Sequence, residues 1–201
     1  MSRLSHQPTS LHLDLPDWLS GHAKGQTHFL NPEERMALVI DAARRNIREG
    51  AGGPFAAAIF ERTSGLLVAL GVNLVVPAGL SMLHAEMLAF ALAQQRLGSY
   101  DLGQPGLPAH ELVTSSEPCA MCFGATFWSG VRHLCIGARN EDALAVGFDE
   151  GPKPSDWVHE LDLRGISVER DLLRNEAVAV LHEYHSRGGD IYNGRIGQGR
   201  S

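Results

Sequence analysis

Apolar positions change their spacing several times along the chain, and each change marks an element. After Asn31-Pro32-Glu33-Glu34, the residues Met36, Val39, Ile40, Ala43 and Ile47 recur at helical spacing. Asn31 suits an N-cap, Pro32 the first helical position, and the two glutamates the positive end of the helix dipole. A helix is therefore predicted up to the glycine-rich break at 50–53. Residues 55–60 form an unbroken small and apolar run, read as a buried strand; 61–65 turn the chain, and 66–72 return as its antiparallel partner, with Asn73 at the strand's end. A loop at 77–81 leads to a second helix over about 83–97, stopped by Gly98. Further strands are predicted at 111–115, 132–138 and 166–170. Between and after them come a helix opened by Pro118 and stopped by Gly130, a short helix at 141–146, a helical turn at 156–161, and a last helix at 172–185. Residues 1–30 show neither period and are read as an arm laid on the surface, with His6, His12, His22 and His28 expected in solvent. A glycine-rich tail covers 186–201.

Strands alternating with helices indicate an α/β layered fold, and the opening hairpin makes the sheet mixed. A length of 201 residues suits one domain, 31–185, between arm and tail, and an apolar share of 44% makes it globular. A net charge of −6 with a pI near 5.9 argues against a chain built mainly to grip a phosphate backbone. Three cysteines, two of them in one motif, argue against a secreted disulfide framework; Cys135 is left to core packing. With no basic-then-apolar start and no stretch of about 18 apolar residues, a soluble, cytoplasmic protein with no membrane partner is expected.

The chemistry concentrates in His84-Ala85-Glu86 and Pro118-Cys119-Ala120-Met121-Cys122. A Cys-x-x-Cys alone is compatible with a redox pair or half of a structural zinc knuckle. With His84 it makes three ligands, the number a catalytic zinc uses when a fourth position is left for water, whereas a closed structural site wants four. Cys119 and Cys122 fall on one face of a helix's first turn, where the positive dipole end favours thiolates. Glu86, two residues past the histidine, lies on a different helix face and is placed to carry protons without touching the metal. His-x-Glu followed by Pro-Cys-x-x-Cys is the pattern of the zinc-dependent nucleobase deaminases, and the chain resembles that superfamily here. The resemblance implies a three-layer α/β/α, cytidine-deaminase-like fold with a five-stranded sheet whose last two strands are parallel. It also implies one zinc per chain on His84, Cys119 and Cys122, with Glu86 as catalytic proton carrier.

Within that superfamily, residues 31–185 most resemble bacterial guanine deaminases. The likeness is carried by Gly52-Gly53-Pro54-Phe55, Asn73, His84-Ala85-Glu86, Glu117 through Cys122, and Gly147-Phe148-Asp149-Glu150. It implies hydrolysis of guanine to xanthine and ammonia. Phe55 would pack on the purine, Asn73 would hydrogen-bond to it, and Ala85 would join them among the substrate-binding positions. Glu150 would be the second catalytic proton carrier, at a position where some members have aspartate. It also implies a homodimer in which each tail closes the partner's active site, with Tyr192 as the candidate residue reaching the purine. Three rivals stay open: a tRNA adenosine deaminase, a cytosine or other aminated-heterocycle deaminase, and a non-catalytic zinc module used for assembly. A tRNA enzyme should carry basic residues at its pocket mouth. The segment here holds Glu141, Asp142, Asp149 and Glu150 instead. His182 and His185 are expected on a solvated helix face.

Overall fold

A computed structural model describes residues 7–194, so His6 and the last part of the tail lie outside the described residues. The chain runs α1 (Pro32–Arg48), β1 (Ala56–Glu61), β2 (Leu67–Val72), α2 (Val75–Ala78), α3 (Ala85–Leu97), β3 (His110–Ser116), α4 (Ala120–Ser129), β4 (His133–Ala138), α5 (Asn140–Ala145), α6 (Trp157–Asp162), β5 (Ser167–Glu169) and α7 (Arg174–Ser186). The first helix starts as its sequence dictates. Asn31 Oδ1 accepts the Glu33 N–H at 2.8 Å, a cap worth about 1 kcal/mol, and the predicted stripe from Met36 to Ile47 is buried.

The strands lie in the order β2-β1-β3-β4-β5, antiparallel across β2, β1 and β3 and parallel across β3, β4 and β5. On one face, α1 and α7 pack against Ala58, Phe60, Val113 and Cys135. On the other, α3, α4 and α6 cover Ala57, Ile59, Leu112, Leu134 and Ile136. Alternate strand residues thus serve opposite layers. Because β1 runs against both neighbours, β2 and β3 end at the same edge: Ala56 faces Val72 on one side and donates its N–H to Ser115 Oγ on the other. The helices that follow those two strands, α3 and α4, therefore begin close together. The alternation of elements predicts this layered, mixed sheet, and the resemblance implies its five strands between helices.

Three local differences have physical causes. Residues 75–78, the last two of which fall in the expected loop, wind one helical turn, which Pro77 tolerates in a first turn and Gly79 ends in the left-handed conformation at φ 65°. The second long helix begins at Ala85 rather than near 83, because His84 keeps an extended backbone as its N-cap. The last helix begins at Arg174, after Asp171 and Leu173 adopt left-handed φ values of 70° and 50°. Two bidentate clamps, Arg139 on Asp171 and Arg174 on Asp142, hold that corner against a backbone cost of about 1–2 kcal/mol for each left-handed residue.

The arm is a correction. His22 was expected in solvent, yet it is 4% exposed, edge-on to the Trp18 ring, and Leu19 and Phe29 join the core on the α1 side. Its burial comes from irregular turns and a short pairing with the hairpin, where Leu67 N–H reaches Thr27 O and Phe29 N–H reaches Gly65 O, both at 2.8 Å. Neither leaves a period in the sequence. His12, His28, His182 and His185 are exposed as read. Burial holds the His22 imidazole below its ordinary value of 6.5, against the opposing pull of Asp41. The unfolded chain then binds the proton more tightly than the folded one. Stability is complete above about pH 6.5 and falls as pH drops below it. The melting temperature should decline from pH 7 to 5.5 less steeply in His22→Gln than in the parent; equal slopes would reject this assignment. Among the described residues, no helix is long and apolar enough to cross a membrane.

Candidate active site

His84 and Cys119 hold equivalent positions: each is the N-cap of its helix, extended in backbone, and neither spends its side chain on a capping hydrogen bond. Both side chains are thus free to point past the helix starts into the gap between α3 and α4. Cys122, one turn into α4, joins them and is fully buried. His84 Nδ1 lies 3.4 Å from Cys119 Sγ and 3.6 Å from Cys122 Sγ. A tetrahedral zinc with Zn–N near 2.0 Å and Zn–S near 2.3 Å sets its nitrogen and sulfur ligands about 3.5 Å apart. The three donors fit that ion in type and in spacing.

Charges within the polypeptide itself are arranged around this triad. The hydrogen bond from the Cys122 thiol holds Cys119 down to about 4, with His84 adding to the effect; the same bond, then burial, pushes Cys122 well up. Burial works against a charged His84, but Cys119 and Glu86 outweigh it and raise the imidazole. The carboxyl of Glu86, second residue of α3 and 6% exposed, is raised first by burial and then by the Cys119 thiolate. Glu150 is pushed up to about 8 by burial, reinforced by Cys119 and Glu86 and opposed by Lys153 and His84. A divalent cation on the thiolates lowers both carboxyls again.

His84, Glu86, Cys119 and Glu150 open onto a single cleft that Gly53, Phe55, Asn73, Glu117, Phe148 and Tyr192 also line. Phe55 meets Phe148 edge-on at 4.9 Å, and Phe148 stacks on Tyr184 at 6.1 Å. Asn73 is fixed through its backbone: its N–H donates to Phe55 O, and its carbonyl accepts from Asn46 Nδ2 at 2.9 Å, the same amide that holds Gly53 O. A Cβ at Gly52 would collide with that Asn73 carbonyl, which accounts for glycine there. The Asn73 side-chain oxygen takes the Val75 N–H, leaving Nδ2 without a partner among the described residues. Glu150 rides on a loop whose carbonyl accepts the Ala120 N–H at 2.8 Å. The tail folds back on its own chain, where Asn193 bonds the backbone of Gly147 and Asp149 and brings Tyr192, half exposed, to this cleft.

Of the residues singled out in the sequence, Phe55, Asn73, His84, Glu86, Cys119, Glu150 and Tyr192 meet in the cleft, with Cys122 directly behind. The side chain of Ala85 is fully buried among the apolar residues between α3 and the sheet and does not line the cleft. Helix geometry turns it away from both its neighbours, leaving only its backbone to act at the helix start. Sequence reasoning missed Phe148 as a wall, although its motif was in view, and Tyr184 and Asn46, for which no motif or period gave a sign.

Residues 31–138 match the family described as cytidine and deoxycytidylate deaminase zinc-binding region. A crystal structure of the guanine deaminase from Nitrosomonas europaea is 51% identical, with a TM-score of 0.86, covering 90% of this chain and 99% of that one. A protein solved in complex with 2,6-diaminopurine is 53% identical, also at a TM-score of 0.86, covering 92% and 97%. The guanine deaminase of Bacillus subtilis (strain 168) is 34% identical over 121 residues, 60% of this chain and 73% of that protein. The family match spans α1 through β4, with the imidazole and both thiols inside it, and the likeness to the solved relatives extends over nine-tenths of the chain; it therefore belongs to the cytidine and deoxycytidylate deaminase family, whose members are zinc-dependent hydrolases.

Proposed function

We propose that the protein hydrolyses free guanine at C2, giving xanthine and ammonia, with zinc held by His84, Cys119 and Cys122. The observation that carries this reading is 51% identity to a guanine deaminase over 90% of the chain. The cleft supports it, with two carboxyls, an asparagine amide and an aromatic wall around the same space. Zinc between those donors supplies a Lewis acid that makes water nucleophilic near neutral pH.

The chain's own residues do the rest. Phe55 and Phe148 offer an apolar surface to a flat ring, and Asn73 Nδ2 donates to an acceptor on its edge. Glu86 takes a proton from the attacking water and returns it to the ring nitrogen beside C2. That completes the addition of water across the ring C2–N bond; the tetrahedral C2 then loses its exocyclic amine, which takes a proton from Glu150 and leaves as ammonia, while the C2 hydroxyl gives its proton back to Glu150 and becomes the carbonyl. Tyr192 closes the cleft mouth. The same reading makes the protein a cytoplasmic homodimer, and Trp128, 83% exposed beside Met82 on one groove, offers apolar surface for the pairing.

The test is ammonia and xanthine formation from guanine, run beside guanosine, cytosine, cytidine, adenine and an anticodon stem-loop. Guanine should be turned over far faster than the rest, since a cleft closed by Tyr192 leaves little room for a ribose. Efficient deamination of the stem-loop with guanine inert would move the assignment to tRNA. A silent panel with zinc bound would point to an assembly module.

A further inference from the structure

Glu150 sits on an irregular loop between α5 and α6, so something must hold that loop against the cleft. Its own carbonyl is tied to Ala120 N–H, but the neighbouring anchor, Asn193 on the Asp149 N–H, belongs to an exposed tail. Three residues on, Lys153 turns inward. Its side chain is only 8% exposed, and its Nζ lies 2.7 Å from Glu117 Oε1 and 2.8 Å from Pro118 O, with the Trp157 ring 5.3 Å away. Glu117 is itself 3% exposed and takes Arg170 Nη2 on its other oxygen at 3.1 Å. Glu117 and Pro118 are the two residues that lead into Cys119.

We infer that Lys153 is a positioning residue for the deamination proposed above: it clamps the Glu150 loop to the Glu117 carboxylate and the Pro118 carbonyl, so that Glu150 and the Cys119 helix start keep one fixed relation. The clamp reaches across 36 positions of sequence to Glu117 and 35 to Pro118. Three donors of one ammonium suit this task, because it can bond a carboxylate and a carbonyl at once. An ammonium and a carboxylate this deep are costly to bury unless paired, and their strength lies in fixing one geometry rather than in net stability. A small displacement of a catalytic group costs rate steeply: about 1 Å is worth around 100-fold.

The inference rests on Glu150 acting in the reaction, and a double-mutant cycle tests both separately. Lys153→Met keeps the length of the side chain and removes its charge. It should lower kcat by about 10- to 100-fold, with KM and zinc content near the parent's. Added to Glu150→Gln it should cost nothing further, because the residue it positions is already disabled. Glu117→Gln, which keeps an acceptor but weakens the clamp, should show the same coupling at smaller size and serves if the methionine variant fails to fold. An equal loss in both backgrounds, or parental kcat in the Lys153 variant, would overturn the inference. If the parent turns over no guanine but deaminates another base of the panel, the substrate assignment fails alone and the cycle is read on that base.

Discussion

Glu86→Gln is expected to fold, to keep its zinc, and to lose about 10²–10⁴-fold or more in turnover, the range for removing a general acid-base group. The amide matches the carboxyl in shape but cannot take a proton from water and return it to the ring. Folding should survive, because a residue 6% exposed whose carboxyl is already raised by burial gains from losing its charge. Zinc should stay, because the imidazole and the two sulfurs that fit the ion are untouched. Steady-state rates, metal analysis and a melting curve on the same preparation check the three parts. Near-parental turnover would make the mechanism untenable.

Cys119→Ser and Cys122→Ser should each lose metal as well as activity. The parent chain should hold one zinc. A serine oxygen does not ionise near neutrality and so offers zinc neither the charge nor the softness of a thiolate. In the polypeptide alone the two thiols share a hydrogen bond that keeps Cys119 ionised and Cys122 protonated, so zinc must displace at least the Cys122 proton. Affinity should therefore weaken as pH falls and the ligands take protons back. Metal content by mass spectrometry across pH 5 to 8, in parent and variants, reads both effects. Unchanged metal in both serine variants would mean that the ligand set is wrong.

Local rules read far ahead where the chain's interactions are short in sequence. The Asn31 cap and the α1 stripe lie within a few residues of their partners, the β1–β2 hairpin is closed by a short turn, and all three were legible. So was the meeting of the three donors, since Cys119 and Cys122 are one turn apart and His84 precedes Glu86 by two residues. Side-chain direction was less legible. Ala85 sits between two cleft residues, but its place on the helix sends its methyl into the core. Burial without periodicity was not legible at all, as His22 shows. Nor were the clamps, for Asn46 gathers backbone from 7 and 27 positions away and Lys153 reaches back 36. Such contacts are set by how layers stack, which no local pattern encodes.

Zinc held as proposed, by donors at two helix starts, would also act as a covalent-like staple. His84 and Cys119 are 35 residues apart, and that interval contains all of α3 and β3. Joining the ends of a loop that long removes chain entropy from the unfolded state worth about 4 kcal/mol in the cross-link model, a large share of a domain's net stability of about 5–15 kcal/mol. A chain whose three cysteines are all free of disulfides would thereby obtain the benefit of one from the ion that also serves its chemistry. Selection for activity and selection for persistence in the cell then act on the same three side chains.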